Sequence, residues 1–118
     1  MKEYIHAKIH NINVTAKSID YHGSVTVCSH LLEQSGIDHY QKVDIVNLNN
    51  GHRWTTYTVP GPLGSFELNG GGARLGEIGD RCVVIAYEMT DQFAGSKVIF
   101  CDKYNNISNT LTYLLEEK

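Results

Sequence analysis

A chain of 118 residues with ten Lys and Arg against thirteen Asp and Glu has a formal charge of −3. That length suits one domain with one core, and that charge excludes general attraction to a phosphate backbone. With 42% hydrophobic and 19% charged residues, eleven Gly and two Pro, the composition is globular and excludes a disordered or collagen-like chain. The longest apolar run, residues 82–87, is far short of the roughly 18 residues of a membrane span. Residues 1–8 hold no apolar signal core, so a soluble cytoplasmic domain without a membrane or nucleic-acid partner is expected.

Taken in chain order, short β-strands dominate. Ile5, Ala7 and Ile9 fall on one face of the first segment, while Tyr4, His6, Lys8 and His10, then Ile12 and Val14, fall on the other. Such alternation suits a strand between a core and a pocket. Residues 25–28 are β-rich, and Ser29 is placed to cap a short helix over residues 31–34 that Gly36 stops. Residues 43–46 and 53–59 flank Asn49, Asn50 and Gly51, a hairpin turn because Asn and Gly tolerate positive φ. Pro60, Gly61 and Pro62 then predict the end of that strand. Residues 65–68 lead into Asn69, Gly70, Gly71 and Gly72, with a short helical turn expected at residues 73–75. Residues 82–87 and 97–101 predict two more strands. The tail from Ser108, with Leu111, Leu114 and Leu115, predicts a short amphipathic helix or a frayed end. Six or more short strands with few helices predict an all-β fold, a small β-barrel.

Cys28, Cys82 and Cys101 are an odd number without a CxxC pair, which predicts three reduced, buried thiols. No Walker loop, HExxH or GxSxG occurs. His6 and His10 are four apart on a strand with no third ligand in view, so no metal is expected. What stands out is Tyr21-His22-Gly23-Ser24, at the junction of two β-like segments. Gly23 permits backbone angles closed to other residues and leaves its carbonyl accessible. The Ser24 hydroxyl sits on the next residue, and its attack would turn that amide into an ester. A plain Gly-Ser turn has the same two residues.

The order Lys8-Ile9-His10, then Tyr21 to Ser24, then Asn50-Gly51-His52-Arg53-Trp54-Thr55-Thr56-Tyr57, then Asn69-Gly70 strongly resembles the bacterial aspartate 1-decarboxylase family, pyruvoyl-dependent enzymes of pantothenate synthesis. The likeness spans residues 4–101. It implies a double-psi β-barrel with a few short helices, a single domain over residues 1–118, assembled as a homotetramer. It also implies an inactive precursor that cuts itself between Gly23 and Ser24 into residues 1–23 and 24–118. In that scheme the Ser24 oxygen attacks the Gly23 carbonyl, and the ester eliminates. Hydrolysis then releases ammonia and leaves a pyruvoyl group at position 24. Thr56 would donate a hydrogen bond to the oxygen that becomes anionic.

By the same likeness, the pyruvoyl group forms a Schiff base with L-aspartate and acts as electron sink without pyridoxal phosphate or metal. Tyr57 returns the proton, and β-alanine leaves. Lys8 and Arg53 would meet the two carboxylates. Asn69, Gly70, Gly71, Gly72 and Thr56 would make further substrate contacts, and His10 and Tyr21 would shape the site. No residue names a helper protein for maturation. Gly71 and Gly72 depart from the family's usual Ala-Ala, which predicts a slightly wider pocket, and Trp54 stands where Phe is usual. A pyruvoyl decarboxylase of another amino acid therefore stays open, as does a non-catalytic β-barrel binding module with Gly23-Ser24 as a turn. Retention of both Lys8 and Arg53 favours a dicarboxylate.

Overall fold

The computed structural model describes residues 1–113. Among these, the strands are β1 (Lys2–Asn13), β2 (Ala16–Ser18), β3 (Ser24–Cys28), β4 (Lys42–Asn47), β5 (Arg53–Gly61), β6 (Phe66–Asn69), β7 (Arg81–Thr90), β8 (Ser96–Cys101) and β9 (Ile107–Tyr113). One α-helix, α1 (Ser29–Ser35), and a 3₁₀ turn, Gly70–Arg74, complete the elements. The strands join in one mixed sheet in the order β2-β6-β3-β5-β4-β7-β1-β8-β9. Three neighbour pairs are parallel, β1 with β8, β2 with β6 and β3 with β5. The fold is therefore all-β and barrel-like, as the strand pattern predicts. No helix among the described residues is long and apolar enough to cross a membrane.

The core gathers one face of each long strand: Ala7 and Ile9 from β1, Val43 and Ile45 from β4, Cys82, Val84 and Ala86 from β7, with Phe66 and Leu68 from β6. β3 lies between β5 and β6 and is buried along its whole length, which is why its sequence is a continuous run rather than an alternation. All three cysteines are buried and free. Burial pushes the Cys82 and Cys101 thiols up to about 12, so both behave as small apolar fillers at neutral pH.

Local expectations at four elements need correction. In β1 the pairing with β7 slips between Ile5 and Ala7, which sets Ile5 opposite Tyr87 instead of on the Ala7 and Ile9 face, and slips again between His10 and Ile12, where Asn11 takes φ 63°. The extra residue reverses the alternation, so Ile12 and Val14 join the core instead of the Lys8 and His10 face. At α1, Cys28 holds the N-cap position and Ser29 is the first helical residue, its Oγ donating to the Gly61 carbonyl at 3.0 Å. Gly36 ends this helix as expected, with φ 82° and its N–H on the Leu32 carbonyl. β5 runs through Pro60 to Gly61, because beyond Tyr57 it has left β4 and pairs with β3, a position where a missing N–H is tolerated. Residues 107–113 form a strand on β8 rather than a helix; their Ile, Thr and Tyr side chains favour it. Leu114 and Leu115 lie outside the described residues.

Candidate active site

β3 brings the Gly23–Ser24 junction to one end of the sheet. Ser24 pairs with Asn69 of β6, and Val25 pairs with Thr58 of β5, which sets Ser24 level with Tyr57. Tyr21, His22, Ser24, Thr26, Tyr40, Tyr57, Val59 and Pro60 line a cavity of about 470 Å³ there. Ser24 is only 4% exposed. The Asn69 amide donates to Ser24 Oγ at 3.0 Å and to Thr26 Oγ1 at 3.0 Å, so both of its N–H groups are committed to this corner. Ser24 Oγ in turn donates to the His22 carbonyl at 3.4 Å, a long and weak bond.

The glycines at the junction are dictated by close approach. Gly70 has φ 65°, and a Cβ placed on it would lie 2.7 Å from Gly23 Cα and 2.9 Å from Gly23 N. The 3₁₀ turn thus lies directly against the backbone of residues 21–23, and only glycine fits. Gly23 itself has open space where a side chain would be, which leaves that side of its backbone unobstructed. Tyr21 stands 55% exposed at the rim, edge-on to the His22 ring.

A second group of expected site residues lies on the outer face of the neighbouring strands. Cross-strand partners share a face. One row reads Lys8, Ile85, Asp44, Thr55, and the next reads His10, Val83, Val46, Arg53. Lys8 Nζ sits 5.9 Å from the centre of the Tyr113 ring, and the His10 ring is tilted against Phe100. Burial, then the charges of Lys8 and Arg81, hold His10 below the ordinary histidine range. Arg53 pairs with Asp44 at 3.2 Å. Tyr57 is four steps further along β5, about 13 Å away at ~3.3 Å per residue. One chain therefore unites Ser24, Asn69, Gly70, Tyr21 and Tyr57, but holds Lys8, His10 and Arg53 apart from them.

Thr56 is the exception in orientation. The β4–β5 register is unbroken, and Thr56 pairs with Val43 on the core-facing side, opposite to Arg53 and Tyr57. Carrying the β3–β5 register back two residues sets it level with Gly23, though not within the cavity.

A family model described as Aspartate decarboxylase matches residues 1–108. The chain belongs to the aspartate decarboxylase family. It is similar to a curated Aspartate 1-decarboxylase of Carboxydothermus hydrogenoformans, 46% identical over 106 residues, covering 85% of this chain and 84% of that one. The Aspartate 1-decarboxylase of Crocosphaera subtropica is 42% identical over 119 residues, 94% of this chain and 79% of that one. That of Thermotoga petrophila is 40% identical over 106 residues, 88% and 93% respectively.

Within the family frame, the two departures near the 3₁₀ turn prove to be one. A Cβ on Gly72 would lie 2.8 Å from Trp54 Nε1, whereas Gly71 faces open space. The larger indole occupies the room that a methyl at position 72 would need. The expected widening therefore holds only at Gly71. Five cavity residues were not read as site residues from the sequence: His22, Thr26, Tyr40, Val59 and Pro60. Thr26 was within reach, two residues after Ser24 on the same strand face. Tyr40, at φ 63° in the loop before β4, carries no signal in the sequence for its place there.

Proposed function

We propose that this protein decarboxylates L-aspartate to β-alanine and CO2 on a pyruvoyl group made from its own Ser24, a step of pantothenate synthesis. Family membership supports the reaction. The observation that carries the site is Gly70 seated against Gly23 while Asn69 donates to the buried Ser24 hydroxyl. These residues fit the making of such a group: a buried hydroxyl, an unobstructed glycine beside it, and an amide that orients the attacking oxygen.

In maturation, Ser24 Oγ attacks the Gly23 carbonyl carbon. The C–N bond breaks, the amide nitrogen takes the hydroxyl proton, and an ester links the two residues. Loss of the Ser24 α-proton expels the Gly23 carboxylate; water then replaces nitrogen, which leaves as ammonia. Thr56, level with Gly23, is the donor for the oxygen that becomes negative. The products are residues 1–23 and 24–118 of one domain.

The pyruvoyl group supplies a carbonyl that takes up the substrate amino group and then the electrons released with CO2. Tyr57, on the cavity wall beside Ser24, holds the proton for the carbon that loses CO2. Asn69 and the backbone from Gly70 to Gly72 border the substrate, and Tyr21 narrows the entrance. Lys8 and Arg53 bind the two carboxylates, with His10 beside them. Because Arg53 stands about 13 Å from Tyr57 along β5, this cationic face serves the cavity of a neighbouring copy in a homotetramer.

Intact-mass analysis tests the proposal. Aged protein is expected as two fragments, the larger blocked by a keto acyl group, and should release β-alanine from aspartate. Ser24→Ala should stay whole and inactive. A parent chain that remains uncut after prolonged warming overturns the proposal, and so does decarboxylation by Ser24→Ala.

A further inference from the structure

Asp44 on β4 and Tyr87 on β7 form a cluster around Arg53 that no step above uses. Asp44 accepts three hydrogen bonds. Thr55 Oγ1 donates to Oδ1 at 2.7 Å, while Arg53 Nη2 and Tyr87 Oη each donate to Oδ2 at 3.2 Å. Arg53 Nη2 also donates to Tyr87 Oη at 2.8 Å. The guanidinium is thus anchored by a single nitrogen. Its Nε and Nη1 have no hydrogen-bond partner among the described residues.

The protonation states suit this arrangement. Burial pushes the Asp44 carboxyl up, but hydrogen bonds from Thr55, Arg53 and Tyr87 outweigh it, and the group lies below the ordinary carboxylate range. Burial, then the Asp44 charge, pushes the Tyr87 phenol up. At neutral pH Asp44 is therefore ionised and Tyr87 neutral, so the phenol both accepts from Arg53 and donates to Asp44. An exposed arginine otherwise has many rotamers to lose when it grips a ligand.

We propose that Asp44 and Tyr87 are positioning residues, which hold Arg53 by Nη2 and so fix the plane of its guanidinium, leaving Nη1 to donate to the substrate carboxylate. This rests on the assignment of Arg53 to carboxylate binding made above. The cluster acts on binding rather than on bond breaking, because it reaches the substrate carboxylate only through Arg53. Thr55 completes it by holding the other Asp44 oxygen.

Steady-state kinetics on protein verified by mass as fully processed provides the test. Tyr87→Phe removes one hydroxyl without changing charge, and is expected to raise KM for L-aspartate roughly tenfold, the size of a lost hydrogen bond to a charged group. Its kcat should stay within about twofold, since only binding is touched. Asp44→Asn should raise KM in the same direction. In an Arg53→Lys background, which has no guanidinium plane to fix, Tyr87→Phe should add nothing further. An unchanged KM in a parent that decarboxylates aspartate normally overturns the inference and leaves the decarboxylase assignment intact. A fall in KM also overturns it, since Asp44 would then compete with substrate for Arg53. Should Tyr87→Phe fail to process, Asp44→Asn decides by the same criteria.

Discussion

Gly72 and Trp54 behave as one unit of volume. An indole edge takes the space of the missing methyl group, and a rigid ring cannot yield as a flexible chain end does. Gly72→Ala is therefore expected to destabilise the protein by about 1–3 kcal/mol, the usual cost of overpacking. Trp54→Phe in the same chain should recover much of that loss. Urea unfolding of the two single variants and the double variant measures the coupling, and additive effects would refute it. From sequence alone the two residues read as independent departures, because their contact spans the β5 hairpin and the 3₁₀ turn. Gly23 and Ser24 were legible, since their chemistry is between adjacent residues. Asp44 and Tyr87 were not, because each acquires meaning only through the strand pairing that brings it to Arg53.

β1 shows what decides an element once its composition is set. Its alternation identifies a strand, yet a single bulge at Asn11 moves Ile12 from the polar face to the core. Asn tolerates φ 63° and a β-branched residue does not. Asn11→Val is expected to cost about 1–2 kcal/mol, while Asn11→Gly should be nearly neutral; thermal melts of both check this. Bulges leave almost no trace in a sequence, since one extra residue between two good strands looks like strand. The Asn-Gly hairpin and the Gly36 helix stop were legible because φ itself selects the residue. β2, with three residues, was too short to read, and β9 was misread because leucine spacing outweighed its β-formers. The Thr56 orientation follows from the β4–β5 register, which is regular.

For the whole molecule, acid is the expected weak side. Hydrogen bonds from Asn47 and the Glu77 N–H hold Asp80 below the ordinary range, and backbone N–H groups of Asn106 and Tyr104 do the same for Asp102. A carboxyl lowered by folding stabilises fully above its unfolded value near ~3.9, and that contribution is lost as pH falls through the folded value. His10, lowered chiefly by burial, acts earlier. Below its unfolded value of ~6.5 the unfolded chain gains a proton that the folded one resists, so stability declines with falling pH until the folded value is passed. The melting temperature should thus drop once below about pH 6.5 and again below about pH 4, and His10→Gln should shrink the first step. The division of the site predicts a further outcome. Ser24→Ala and Arg53→Ala, each inactive alone, should regain activity when co-assembled, because one copy brings Ser24 and the other Arg53. Co-assembly with no gain would mean that each chain serves its own cavity. The barrel and the Ser24 corner were legible in one chain's sequence, whereas the distance between that corner and the cationic face required the strand register.

β1 lies inside the sheet, laddered to β7 on one side and β8 on the other, and it fills the core with Ala7, Ile9 and Ile12. The proposed processing after Gly23 would make this strand a separate peptide that nevertheless cannot slip away while the rest stays folded. The precursor melts as one chain and can find its way back. A processed form would lose its keystone on melting and have to recapture it from dilute solution, so heating and recooling should restore the uncut protein and permanently inactivate the cut one.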